Sequence, residues 1–391
     1  MERELYFSRI DSAFSVHPVV AMLGPRQCGK TTTARQYFAI RDIPVPQTHY
    51  FDLERTDDLA RLENPFLTLG RLEGLIIIDE VQRVPNLFSA LRVLVDEPGH
   101  NRRFLILGSA SRELIRQSSE SLAGRIEYIE LTPFSLNELL DEDSDPLNDL
   151  WLRGGFPRSF LAGSDEQSAQ WRRAYIKTYL EQDIPNLGIR IAPVMLRRLW
   201  MMLTHYHGNI IHYAELGRSF GIDIKTVQYY VGILVSTFMI RQLQPWHENL
   251  SKRQIKSHKI YFRDSGILHS LKAIETMDDL LVDPKMGASW EGFAIEEMIR
   301  LYQAKGFESY FWATQGGAEL DLFMIKGNKR LGFECKYTDA PKLTKSMVIA
   351  MNDLKLTQLK VLYPGTKKYA LADNIEAVPL TDVLKEFDDD Q

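Results

Sequence analysis

Near the start of the chain stands Gly24-Pro25-Arg26-Gln27-Cys28-Gly29-Lys30-Thr31-Thr32, in which four residues separate two glycines and a lysine and threonine follow. Glycines let successive backbone N–H groups converge on a phosphate. Lys30 would place a point charge on the β and γ phosphates, and the Thr31 hydroxyl would ligate Mg²⁺. The run from Gly24 to Thr32 is therefore the candidate cradle for a nucleotide, with ATP and Mg²⁺ as the expected cofactors. A plain glycine turn would not explain the apolar "PVVAML" before it or the helical "KTTTARQYF" after it. A helix N-terminus adds a favourable dipole for an anion.

A second element lies downstream. "GLIIIDE", residues 74 to 80, reads as a buried strand ending in two acids. Such acids are costly to bury unless they meet a cation. Asp79 would hold Mg²⁺, and Glu80 would orient and deprotonate an attacking water, which favours hydrolysis over transfer to a small acceptor. After the strand-like "FLILG" come Ser109 and Ser111. Either could sense the γ-phosphate, or merely cap the next helix. Arg125 is a candidate arginine finger for its own or a neighbouring subunit, with a surface ion pair as the alternative.

A third set lies nearly 300 residues on. Glu291 opens a helical stretch, Asp321 closes "AELD", and Glu334 and Lys336 flank Cys335 in "FECKY". Strand alternation puts Glu334 and Lys336 on one face. An acid followed by acid-x-lysine on a neighbouring strand resembles the PD-(D/E)xK nuclease site. There, carboxylates such as Glu291, Asp321 and Glu334 hold a metal and a lysine such as Lys336 activates water. The proline of that pattern is missing, since Leu320 precedes Asp321. A salt-bridged set of strand residues, or an inert nuclease-like fold, is the alternative.

The elements that must position these residues are legible in outline. "PVVAML", "THYFDL", "GLIIIDE", "RRFLILGSA" and "RIEYIEL" are apolar runs separated by helical stretches, the pattern of a parallel sheet covered on both faces. "LDEDSDPLNDL" reads as a linker. Residues 209–246 read as helix, tight turn at "GID", helix with Val227, Val231 and Leu234 inward, then strand. That is the layout of a winged helix-turn-helix. Lys225, Thr226, Gln228 and Tyr229, with Asp223, would form its reading face, and the basic "SKRQIKSHK" would touch phosphates. Protein binding is the alternative for such a module. His205 and His207 lack a third ligand at metal spacing and read as structural. The tyrosines of "RAYIKTYLEQDI" read as core. The expected domains are 1–140, 151–275 and 285–391.

Composition bounds the rest. The chain has 391 residues, net charge −5, 45% hydrophobic and 25% charged residues, which excludes a disordered or polycationic chain. Residues 151–260 hold 15 Lys and Arg against 7 Asp and Glu, a net of +8, leaving −13 for the remainder. That asymmetry hints that the middle faces an anion. Two cysteines do not make a disulfide framework. The charged N-terminus and the absence of a membrane-length apolar run lead to the expectation of a cytosolic protein that does not enter a membrane.

"GPRQCGKTT", "LIIIDEVQRVPNLFSALRVLVDE", "FLILGSASREL", "SLAGRIEYIELTPFSLNEL" and "LRGGFPRSFL", in this order, resemble a family of bacterial and archaeal AAA-superfamily ATPases. In that family a P-loop domain is joined to a C-terminal domain of unknown function. The resemblance spans nearly the whole chain. It implies ATP binding and hydrolysis, with Lys30 and Thr31 as the nucleotide-binding pair, Asp79 and Glu80 as magnesium and catalytic acids, and Ser109 as sensor. Cys28 stands where the family often has an apolar or small residue, and its thiol would make the loop sensitive to oxidation. The expected fold is α/β: an AAA-type P-loop parallel sheet, a central helical and winged-helix region, and a C-terminal restriction-endonuclease-like α/β domain. The expected function couples nucleotide turnover to nucleic acid, with DNA and further copies of the chain as expected partners. The alternative is a nucleotide-gated switch that binds a protein, with an inert C-terminal site.

Overall fold

The computed structural model describes residues 2–43, 46, 49–109, 122–140, 145–247 and 257–389. The chain forms two compact units. One comprises residues 1–133 with 186–189 and 236–238, the other 134–185, 190–235 and 239–391.

In the first unit, β1 (Val19–Leu23), β2 (Tyr50–Asp52), β3 (Leu75–Asp79), β4 (Arg103–Gly108) and β5 (Ile126–Glu130) form one sheet, in the order β2-β3-β4-β1-β5. Every pairing is parallel. Every residue of β1 and β3 is buried, because helices cover both faces of a parallel sheet. One of these is α1 (Glu4–Val16), whose buried residues Tyr6, Phe7, Ile10, Ala13 and Phe14 recur at three- and four-residue steps. The others labelled here are α2 (Lys30–Ile40) and α3 (Leu87–Asp96). Parallel pairing has one consequence for function. The carboxyl ends of β1, β3 and β4 share one edge, with Leu23 opposite Gly108 and Ile78 opposite Ile106.

The second unit begins with helices, among them Asp165–Thr178 and Pro193–Leu203. Tyr175 and Tyr179 are buried there and stack on each other, and Tyr179 packs against Trp200. They are core, as their spacing suggests. Next come β6 (Asn209–Ile210), α4 (Tyr213–Phe220), a turn through Gly221, and α5 (Ile224–Ser236). β7 (Ile240–Leu243) and β8 (Lys259–Phe262) follow and close an antiparallel sheet in the order β6-β8-β7.

The C-terminal part runs α6 (Met286–Gln303), β9 (Glu308–Ala313), β10 (Glu319–Lys326), β11 (Lys329–Cys335), α7 (Lys345–Asp353) and β12 (Gln358–Tyr363). β13 (Tyr369–Ala372) and β14 (Ile375–Pro379) complete a mixed sheet ordered β13-β14-β12-β11-β10-β9. After β7 the chain runs onto β9: Phe311 N–H donates to Gln244 O at 2.9 Å and Trp246 N–H to Phe311 O at 2.7 Å. Trp151 and Trp290, both fully buried, meet edge to face at 5.4 Å within the core. Among the described residues no helix is long and apolar enough to cross a membrane.

Candidate functional site

The loop after β1 needs its glycines. A Cβ on Gly24 would lie 2.1 Å from the Leu131 carbonyl oxygen, and Gly29 has φ 101. Gln27 also takes a left-handed backbone, at φ 64. The loop turns into α2 at Lys30, whose side chain is buried and donates to Gly24 O at 3.1 Å and Pro25 O at 2.9 Å. The ammonium thus lies against the loop's own carbonyls. Thr32 is exposed and Arg26 is paired with Glu54 at 2.7 Å.

Thr31 and Asp79 come together across 48 positions of sequence. The Thr31 hydroxyl donates to Asp79 Oδ2 at 2.6 Å, and Tyr50 OH donates to the same oxygen at 3.1 Å. Burial raises the Asp79 carboxyl, against the opposing hydrogen bond from Thr31. A hydroxyl and a carboxylate in contact, at the start of a helix, are a fitting donor pair for a hard divalent cation.

Glu80 sits at φ 56, a left-handed backbone that costs a residue other than glycine about 1–2 kcal/mol. Its Oε2 accepts from Ser109 Oγ at 2.8 Å and from the Gln82 side-chain amide. Gln82 also donates to Ser109 Oγ at 3.2 Å. The parallel sheet therefore brings Lys30, Thr31, Asp79, Glu80 and Ser109 to one edge. Gln82 and Tyr50 complete the set. Gln82 had a faint sequence signal, a polar side chain two places after the paired acids; Tyr50 had none. Ser111 lies outside the described residues.

Two expectations change. Cys28 is fully buried, its Sγ faces Leu131 O at 3.5 Å, and burial pushes the thiol's pKa up. Oxidation proceeds through the thiolate, so the expected oxidation sensitivity is not supported. Arg125 immediately precedes β5, which pairs with β1 so that Ile126 faces Val19. That is the end of β1 away from the loop, about 16 Å off over five residues. Arg125 is bound to Asp96 by two hydrogen bonds, 2.6 and 2.9 Å. As it stands it forms the surface ion pair of the alternative reading, on the side of the sheet away from the loop.

A second constellation lies in the C-terminal sheet. α6 carries Glu291, β10 carries Glu319 and Asp321, β11 carries Glu334, and Lys336 follows. β10 gains a residue against β9 between Leu320 and Phe323, and such a bulge re-aims the side chains within it, here Asp321. Asp321 Oδ2 accepts from Cys335 N–H at 2.9 Å, and Lys336 Nζ is 2.8 Å from Glu334 Oε1. Glu334 Oε2 is buried without a hydrogen-bond partner. Burial, then the charge of Asp321, pushes Glu291 up to about 7 and Glu334 up to about 8.

What stands among these acids has no local signature in the chain. Lys259, read as part of a phosphate-touching basic stretch, turns inward instead and is 4% exposed. Its Nζ pairs with Glu319 and lies 3.6 Å from Glu291 Oε1 and 3.9 Å from Asp321 Oδ1. Burial alone would lower this ammonium, but the carboxylates outweigh it and raise it. Tyr261 OH donates to Glu291 at 2.6 Å. As they stand, the described residues include no group of three or more His, Cys, Asp or Glu side chains that would hold a metal. Residues 251–256 of the basic stretch lie outside the described residues.

On α5, Lys225, Gln228 and Tyr229 are exposed. Asp223 caps the helix: its carboxylate accepts from Thr226 N–H at 2.9 Å and Thr226 Oγ1 at 2.6 Å. Those two residues therefore satisfy each other. His207 is buried and its Nδ1 accepts from Phe262 N–H at 3.0 Å.

An AAA domain model matches residues 16–140, and two domains of unknown function, DUF8612 and DUF4143, match residues 144–278 and 286–383. An uncharacterized protein of Mycobacterium tuberculosis is 45% identical over 384 residues, 98% of this chain and 85% of the relative. One of Methanocaldococcus jannaschii is 25% identical over 358 residues, 83% of this chain and 77% of that protein. Among solved structures, a Walker-type ATPase of Pyrococcus abyssi superposes with a TM-score of 0.49 at 15% identity, over 69% of this chain and 95% of that one. The N-terminal unit thus carries a nucleotide-binding fold of the AAA type, and the chain belongs to the same family as the mycobacterial protein, as an AAA domain continued by two domains of unknown function.

Proposed function

We propose that the N-terminal unit binds ATP with Mg²⁺ and hydrolyses it, and that turnover is coupled to nucleic acid bound by the second unit. One observation carries the first half: Thr31 and Asp79 in contact at 2.6 Å, on the sheet edge that also bears Lys30, Glu80 and Ser109. Lys30 would exchange the Gly24 and Pro25 carbonyls for the β and γ phosphates. Thr31 and Asp79 would hold Mg²⁺, which neutralises charge on the phosphate oxygens when bound. Glu80 would accept a proton from the attacking water, aligned by Ser109 and Gln82. Arg125, paired with Asp96, is better placed to act toward a second copy of the chain than toward its own loop.

The nucleic-acid half rests on α4 and α5 followed by the β7–β8 pair, which we read as a winged helix with Lys225 and Gln228 outward. The order α6-β9-β10-β11-α7-β12 supports reading the C-terminal part as nuclease-like. No cleavage step follows from it, because Lys259 stands among the acids Glu291, Glu319 and Asp321. A second reading, a nucleotide-gated switch that binds a protein partner, is favoured by the apolar surface of α5, where Ile224 is 46% and Tyr229 56% exposed. We place the protein in the cytosol.

The test is ATP turnover by the full chain with and without duplex, single-stranded or branched DNA. Lys30→Ala should lose nucleotide binding, and Glu80→Gln should bind ATP but turn it over slowly. Normal turnover in Lys30→Ala would overturn the site. If no DNA stimulates turnover or shows salt-dependent binding, the protein-switch reading replaces the nucleic-acid one.

A further inference from the structure

The acid cluster of the C-terminal sheet already contains a cation that belongs to the protein. Lys259 does not come from α6, β10 or β11. It comes from β8, which is held by pairing to β6 and β7, with Lys259 opposite both Ile210 and Leu243. From there it reaches Glu291, Glu319 and Asp321, three carboxylates on two other elements. The neighbouring Glu334 keeps one buried oxygen without a partner. That oxygen is an unmet demand for a donor or a cation beside the cluster, since buried polar groups are ordinarily satisfied.

An ammonium and a divalent cation compete for such a place. Each needs the same carboxylate oxygens, and Mg²⁺ or Mn²⁺ needs them at about 2.0–2.2 Å. We propose, on the reading of Glu291, Asp321 and Glu334 as a nuclease-like metal site, that Lys259 is a tethered stand-in that keeps a divalent cation out of it. The site opens only when β8 withdraws its lysine. This gives the β6-β8-β7 sheet a direct hold on the C-terminal site. Whatever displaces β8 changes the cluster's charge by one unit.

The test is Mn²⁺ binding, followed by the loss of the free-ion electron paramagnetic resonance signal. It uses the full chain without nucleotide, carrying Lys30→Ala and Asp79→Asn to silence the N-terminal site. Adding Lys259→Met should tighten Mn²⁺ binding at least about tenfold, the low end of what an opposite charge at this range is worth. Asp321→Asn should then abolish it. Mn²⁺ should also raise the melting temperature of the Lys259→Met protein and leave its parent unmoved. Lys259→Gln, which removes the charge and keeps a polar head among the acids, should give a comparable gain. It decides the matter on the same criteria if Lys259→Met does not fold. Equal Mn²⁺ binding with and without Lys259, abolished by Asp321→Asn, would leave the metal site standing and overturn the stand-in. No Asp321-dependent binding in any folded variant would overturn the metal site, and the stand-in with it.

Discussion

Gly24→Ala tests the architecture of the phosphate loop directly. The new Cβ would lie 2.1 Å from Leu131 O and 3.1 Å from both Leu131 C and Cys28 Sγ. Real Cβ atoms essentially never come within 3.0 Å of a heavy atom outside their own residue and its chain neighbours, so either the loop or the Leu131 backbone must retreat by about 1 Å. Neither is free to do so. Leu131 N–H donates to Leu23 O at 2.7 Å, Gly24 N–H donates to Gly108 O at 3.2 Å, and Gly24 O holds Lys30. Overpacking of this kind costs about 1–3 kcal/mol. If the loop yields, that cost falls on nucleotide affinity, as a weakening of roughly 5- to 150-fold. The assay is equilibrium binding of a fluorescent ATP analogue at fixed Mg²⁺, with a thermal melt of each protein. Gly99→Ala is the control: φ there is +79 but no atom lies within 4 Å of the added carbon. It should lose stability and keep affinity. If Gly24→Ala binds nucleotide within about twofold of the parent and melts at the same temperature, the loop is not held as described.

Other outcomes follow from the same geometry. Cys28 should resist iodoacetamide and peroxide in the native protein and react on unfolding, read by peptide mass; native labelling would contradict its burial. Ser109→Ala removes a hydrogen bond to the Glu80 carboxylate and should lower kcat by about tenfold or more with nucleotide affinity unchanged; unchanged kcat would remove Ser109 from the site. Burial pushes His207 and His269 down to about 3. Their folded pKa values lie below the unfolded ones, so this stability is complete above about pH 6.5 and is lost as pH falls toward 3. Urea melts from pH 7 to 4.5 should fall along that slope, and His269→Gln should flatten it; parallel slopes would argue against a buried neutral imidazole.

Much of the candidate site's geometry was legible because a short motif there fixes a local backbone. Gly24 to Thr31 needs only a strand before it and a helix after it, and Asp79 and Ser109 end strands of the same parallel sheet. The strands themselves announced their burial through unbroken apolar runs such as Leu75–Ile78. What was not legible depends on which strands pair. The order β2-β3-β4-β1-β5 sets β1 beside a strand more than 80 residues away, and only this pairing moves Arg125 to the far edge. Lys259 looked like one more basic residue in a basic stretch. Its inward turn follows from the pairing of β8 between β6 and β7, which no local pattern announces. Val227, Val231 and Leu234 did mark the inward face of α5, since three- and four-residue steps need no partner to be read.

The run of chain from β7 onto β9 bears on how this protein can be divided. A fragment cut between residues 278 and 286, where the two domains of unknown function meet, would lose Gln244 and Trp246. β9 would become a raw outer strand with unpaired N–H and C=O groups, the usual template for edge-to-edge aggregation. Trp246 packs at 5.0 Å from Tyr310 and 5.1 Å from Phe323, so an apolar surface would open beside that edge. The same cut would strip Lys259 from Glu291, Glu319 and Asp321 and leave their charges facing one another. Sequence families end at that boundary, but the folded module does not, and work on the C-terminal chemistry should keep the chain from Phe134 onward intact.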